Sequence, residues 1–135
     1  MKTMREILFR GKRKDNGEWV EGSLLKVTIN GKTAYLIFGD NFSFDGNDVK
    51  ALSHALVDPD TVGQYTGMTD KNGKRMFEGD IVVDEDTGNI RTVEYRRNRF
   101  VFVSLLRHFF DVIYEEDWEV IGNIHDNPEL IGGAE

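Results

Sequence analysis

The chain contains no cysteine, which removes disulfides and thiolate metal sites together and excludes zinc-ribbon chemistry. It has two prolines in 135 residues and no low-complexity tract, so no Pro-rich linker divides it into independent domains. No apolar stretch reaches the roughly 18 residues of a membrane-spanning helix. The start, MKTMREILFRGK, also lacks the apolar run of a signal peptide. Basic residues are the minority: 17 Lys and Arg against 24 Asp and Glu give a formal net charge of −7. A field of that sign repels phosphate backbones, so nucleic-acid binding would need a basic patch against the average. The expectation is a cytoplasmic protein without membrane association.

What is present is the composition of a globular domain: 39% hydrophobic and 30% charged residues, with nine Phe to fill a core. A chain of 135 residues buries roughly two-thirds of its unfolded surface on folding. We expect one domain over 1–135. FGDNFSFDGND at 38–48 is the loop that would subdivide it into an N-terminal hairpin unit (1–40) and a small barrel (60–135).

Asn-Gly recurs between alternating runs: KDNGEW at 14–19, TINGKT at 28–33 and DKNGKR at 70–75. Asn tolerates positive φ and Gly accepts it freely, so each pair predicts a type I′ hairpin corner. Around the second corner Leu25, Val27 and Ile29 alternate with Lys26 and Thr28, as on a half-buried strand. DEDTGN at 84–89 and RRN at 96–98 add two more corners, and turn signals every 8–12 residues describe a meander of short antiparallel strands, a pattern shared by small barrels. NDVKALSHALV (47–57) and SLLRHFFDVI (104–113) instead space apolar residues by three and four, as short helices do, while their shortness and their β-branched and aromatic neighbours suit strands, so both readings stay open there. DWEVIGNI at 117–124 reads as a last strand, and HDNPEL offers Asn127 as N-cap with Pro128 at N1 of a closing helical turn.

MREILFRGKRKDNGEWVEGSL, VDPDTVGQYTGMTDKNGKRMFEGDIV and EVIGNIHDNPEL resemble, in order, three signature blocks of the YopX family of bacteriophage and prophage proteins. Residues 24–55 and 104–116 match weakly. The resemblance implies a mainly β protein whose C-terminal part is an SH3-like small β-barrel, and it implies no known activity. In the family pattern the start often falls at the Met of MRE, which makes Met4 an alternative initiator.

The stretch TGMTDKNGKRMFEGDIV at 66–82 concentrates oxygen ligands in Asp70, Asn72, Glu78 and Asp80, the donor type that Mg²⁺ and Ca²⁺ take. Its glycines and amides are better explained by two turns in series, and no phosphate-loop pattern is present. On that reading Asp70→Asn is nearly neutral and a β-branched residue at Gly73 is costly. DEDTGN fails as a calcium loop, because the twelfth position holds Tyr95 rather than a bidentate Glu. His54, His108 and His125 have no metal-ligand spacing and read as neutral, partly buried residues. Ser23, Ser43, Ser53 and Ser104 lack a nucleophile elbow. We therefore assign no catalytic, cofactor or metal residues.

YRRNRFVF at 95–102 sets Arg96, Arg97 and Arg99 beside Tyr95 and Phe100, where basic tips and aromatic faces sharing one surface would grip a single strand. The alternative is a solvated corner beside core-packing residues. FVFV would present two apolar faces, which asks for a cover on each and makes a homo-oligomer the expected state. Of three readings, a non-catalytic binding or self-assembling module ranks first. A single-stranded nucleic-acid module ranks second and a metal-dependent enzyme last.

Overall fold

The computed structural model describes residues 5–40, 52–104, 110–112 and 118–132, the segment 110–112 by its backbone alone. The protein is mainly β and antiparallel, and it forms two compact units, Met1–Gln64 and Tyr65–Glu135.

In the first unit β1 (Phe9–Lys12) pairs with β2 (Trp19–Ile29), which pairs with β3 (Lys32–Phe38). The seven β2–β3 pairs run from Ser23↔Phe38 to Ile29↔Lys32, and β1 also pairs through Phe9 and Arg10 with the first two residues of β4 (Gly63–Thr69). A core of Ile37, Ala55 and Val57, each at most 1% exposed, sits against Gly11, where a Cβ would come within 3.2 Å of Ile37 and Val57. At Gly22 any side chain would overlap the Phe38 carbonyl, with the Gly39 Cα 2.8 Å away. Absence of a side chain is what lets these backbones approach.

In the second unit β4 pairs with β5 (Arg75–Phe77), and a five-stranded sheet follows in the order β10 (Trp118–Asn123), β6 (Asp80–Asp84), β7 (Ile90–Arg96), β8 (Arg99–Ser104), β9 (Phe110–Val112). Among the described residues this sheet ends at β10 and β9, and an SH3-type closure is not among its pairings. Met76, Val82, Val93, Phe102, Trp118 and Val120 form its buried cluster, with the Phe102 and Trp118 rings 4.8 Å apart.

The corners follow loop length. Asn30–Gly31 (φ 52° and 78°) and Arg97–Asn98 (φ 52° and 66°) are two-residue turns with both central residues left-handed. At 13–18 and 70–74 only Gly17 and Gly73 have positive φ, because longer loops use an ordinary turn closed by one left-handed residue. The type I′ expectation therefore holds at one Asn-Gly corner of three.

The choice left open over 104–113 falls to strand at the described ends: Ser104 closes β8, and Phe110–Val112 is a strand paired to Val101–Val103. Short apolar runs with aromatic and β-branched members are ambiguous in period, and sheet pairing decides them. In 47–57 the described half has a helical Leu52–Ser53 and then extended residues, with Leu56 bridging Leu36 and Val57 bridging Arg13. Residues 47–51, most of the 38–48 loop, Ser43, His108 and Met4 lie outside the described residues. Asn127 does precede a 3-10 turn with Pro128 at its start, but its side chain accepts from the Asn123 N–H at 3.2 Å and leaves the turn uncapped.

Candidate functional site

The acidic stretch 66–82 is built from backbone hydrogen bonds. Asp70 is 4% exposed. Its Oδ1 accepts the N–H groups of Asn72 (2.8 Å) and Lys74 (2.9 Å), and its Oδ2 accepts that of Val120 (3.0 Å), 50 residues away. Burial acts to raise its pKa, but the three backbone donors together with the charge of Lys74 outweigh it and hold the carboxyl below the usual aspartate value. Asp70 thus staples a turn to β10, and these bonds argue that Asp70→Asn is costly rather than nearly neutral. Asp80, 1% exposed, accepts the Phe77 N–H at 2.7 Å, and Asp84 accepts that of Asp86 at 2.9 Å. Among the described residues no three His, Asp or Glu come together as metal ligands.

The basic cluster of β7–β8 does not share a surface with its aromatics. The register pairs Tyr95 with Phe100 and Arg96 with Arg99, and alternation places these pairs on opposite faces of the hairpin. Tyr95, 51% exposed, meets Phe100 edge to face with centroids 5.0 Å apart. On the other face Arg96 is held by Glu94 through bonds of 2.6 and 3.0 Å, while Arg97 and Arg99 are exposed at the tip. The strand behind them needs no second copy: Val101, Phe102 and Val103 are each at most 1% exposed within one chain.

Two features that sequence reasoning missed lie in the first unit. One is a polar cluster: Asp15 binds Arg13 through both oxygens (2.6 and 2.9 Å), and His54 Nδ1 stands 3.0 Å from Asp15 Oδ2 and 2.7 Å from Arg13. The bond from Arg13, opposed by partial desolvation and helped by His54, lowers the Asp15 pKa. His54 is 60% exposed, against the expectation of a partly buried ring. Arg13 and His54 also line an open groove of about 470 Å³, together with the apolar Trp19, Val20 and Ile37 and the acidic Glu18, Glu21 and Asp40. Nothing in the spacing of residues 13, 15 and 54 could announce it, because loop geometry brings them together.

The other feature is the outer end of the β2–β3 hairpin. Leu25, Val27 and Ile29 share a face with Leu36, Ala34 and Lys32, yet Leu25 is 48% and Ile29 63% exposed. On the opposite face Lys26 lies over the Tyr35 ring at 5.9 Å and Thr28 meets Thr33 at 3.0 Å.

The family model described as YopX protein matches residues 8–132. A crystal structure of protein EF1440 from Enterococcus faecalis is similar in fold, with a TM-score of 0.54 and 24% identity over 95% of this chain and 99% of that one. No curated protein matches. Among the described residues no helix is long and apolar enough to cross a membrane.

Proposed function

This chain belongs to the YopX family, and we propose that it is a non-catalytic accessory module of bacteriophage or prophage type, which acts in the host cytoplasm by binding and by assembling with copies of itself. The observation that carries this reading is the contrast between its buried polar groups and its exposed apolar ones. Asp70 and Asp80 hold backbone N–H groups, Thr61 accepts the Lys12 N–H at 2.8 Å and donates to the Asp58 carbonyl at 2.6 Å, and Thr92 donates to Glu94 at 2.9 Å. These side chains support the frame, whereas a reactive site would aim titratable groups into a shared pocket. The β2–β3 hairpin meanwhile holds a row of aliphatic side chains in water, the mark of a docking surface. Light scattering of the intact chain over a range of concentrations is the test: growth in mass with concentration is expected, and a monomer at the highest soluble concentration would end the self-assembly reading.

A single-stranded nucleic-acid module is the second reading, favoured by exposed Tyr95 beside the Arg97 tip. The separation of Arg96 and Arg99 from the aromatic face, and the engagement of Arg96 with Glu94, weigh against it. A metal-dependent enzyme ranks last, since Asp70 and Asp80, two of the acids of 66–82, already accept backbone N–H groups.

A further inference from the structure

The hairpin and the groove complement each other in polarity and in charge. Residues 22–38 contain Lys26 and Lys32 and no acidic residue. Of 17 basic and 24 acidic side chains, 15 and 24 lie elsewhere, so a hairpin of +2 projects from a remainder of −9. At its tip the pair Ile29↔Lys32 places one branched aliphatic side chain and one ammonium side by side on one face. The groove offers the converse, an apolar lining of Trp19, Val20 and Ile37 together with the acidic Glu18, Glu21 and Asp40. The one guanidinium that lines it, Arg13, is already neutralised by Asp15, while Arg10 and Lys12 lie against the Trp19 ring at 4.9 and 5.5 Å.

We propose that the β2–β3 tip of one copy seats in the Trp19 groove of another, Ile29 on the apolar lining and Lys32 among the acidic residues. This rests on the self-assembly reading above and names its surface. A chain cannot fill its own groove: Trp19, Glu21 and Ile29 belong to one continuous strand, and at about 3.3 Å per residue the tip stands roughly 26 Å from Glu21. A second copy is the partner because its acidic remainder matches the hairpin and its groove is the chemical complement of the tip. The contact is head-to-tail, and it closes when two copies exchange tips and stays open otherwise.

The test uses the full chain. Ile29→Thr with Lys32→Gln removes the aliphatic group and the charge without setting like charges on directly paired positions, so its melting curve should match the parent while self-association, followed by sedimentation, weakens about tenfold or more. Because the chain has no cysteine, a Lys32→Cys protein mixed with a Glu18→Cys protein under mild oxidation has a single route to a mixed disulfide. That cross-link should form faster than either symmetric one and should slow as salt screens the contact. Parent chain that stays monomeric removes the self-assembly reading and this inference together. Parent chain that associates while the tip variant associates equally well, or while the mixed cross-link is no faster than the symmetric ones, removes this inference alone.

Discussion

Replacing Asp70 by Asn keeps the shape of the side chain and changes one oxygen into an NH₂ group. In either orientation the new NH₂ faces a backbone donor: the Val120 N–H, now 3.0 Å from Oδ2, or the Asn72 and Lys74 N–H groups, now 2.8 and 2.9 Å from Oδ1. At least one backbone N–H loses its acceptor at a residue only 4% exposed, which costs about 1–3 kcal/mol, and the surviving bonds fall from charge-assisted to neutral strength, a further loss of about 1 kcal/mol. A total of about 2–4 kcal/mol corresponds to a fall in Tm on the order of 10 °C for a chain of this size. Gly73→Ala, by contrast, meets open space at φ 84° and costs only about 1–2 kcal/mol of left-handed strain. Thermal and urea melts followed by circular dichroism should rank Asp70→Asn as the more damaging change. The pH dependence adds a second signature. A carboxyl held below its unfolded value contributes stability that is complete above that value, near 3.8, and is lost as pH falls through the folded value. The variant has no such group, so its acid limb should be shallower than that of the parent. A melt within about 0.5 kcal/mol of the parent, the range of an ordinary surface change, would refute the stapling role.

Gly22→Ala should prevent soluble folding, since the new Cβ overlaps the Phe38 carbonyl and neither strand can retreat without breaking the ladder; expression with a cleared lysate assay reads this, and a folded, stable variant would contradict it. Phe102→Ala removes a ring packed 4.8 Å from Trp118 in the second unit and should cost about 3–5 kcal/mol in a denaturant titration. Changing Arg96, Arg97 and Arg99 to Glu should leave the melt nearly unchanged, because exposed charges contribute little, and a labelled single-stranded oligonucleotide should bind neither form even at low salt; tight, salt-sensitive binding by the parent would reverse the ranking of the two binding readings.

The fold class was legible because turns and alternation are local: Asn30–Gly31 carries its own steric reason for a hairpin, and the flanking Leu25, Val27 and Ile29 specify the pleat. The corner at 97–98 was legible as a turn but not as a type I′ turn, since Arg97 adopts φ 52° under the pull of the Tyr95↔Phe100 and Arg96↔Arg99 pairs rather than by preference. The strand at Phe110–Val112 stayed open between helix and strand because its three residues carry no period of their own and are extended only through pairing with β8. Asp70 was read as a turn residue, correctly for the bonds to Asn72 and Lys74 that lie two and four residues away. The bond to Val120, which makes the residue costly to change, spans 50 residues and leaves no trace in local sequence. The groove was illegible for the same reason.

The proposed assembly surface is β2–β3 rather than β8 because of how each strand's hydrophobic pattern is met. A run such as FVFV predicts a strand covered on both faces, and that demand is met inside one chain, with Val101, Phe102 and Val103 all at most 1% exposed. Leu25, Val27 and Ile29 predict one buried face, and there the demand is unmet, with exposures of 48% and 63% at the two large residues. Burying the exposed portions of Leu25 and Ile29 is worth roughly 2–3 kcal/mol in transfer free energy. Micromolar association needs about 8 kcal/mol, so one seated tip, even with the help of Lys32 against three carboxylates, gives a weak contact. Two copies that exchange tips double the contact for a single loss of translational freedom. The apolar burial of the proposed reciprocal dimer therefore totals roughly 4–6 kcal/mol, which predicts a dissociation constant above the micromolar range and cooperative dissociation, with no singly seated dimer accumulating on dilution.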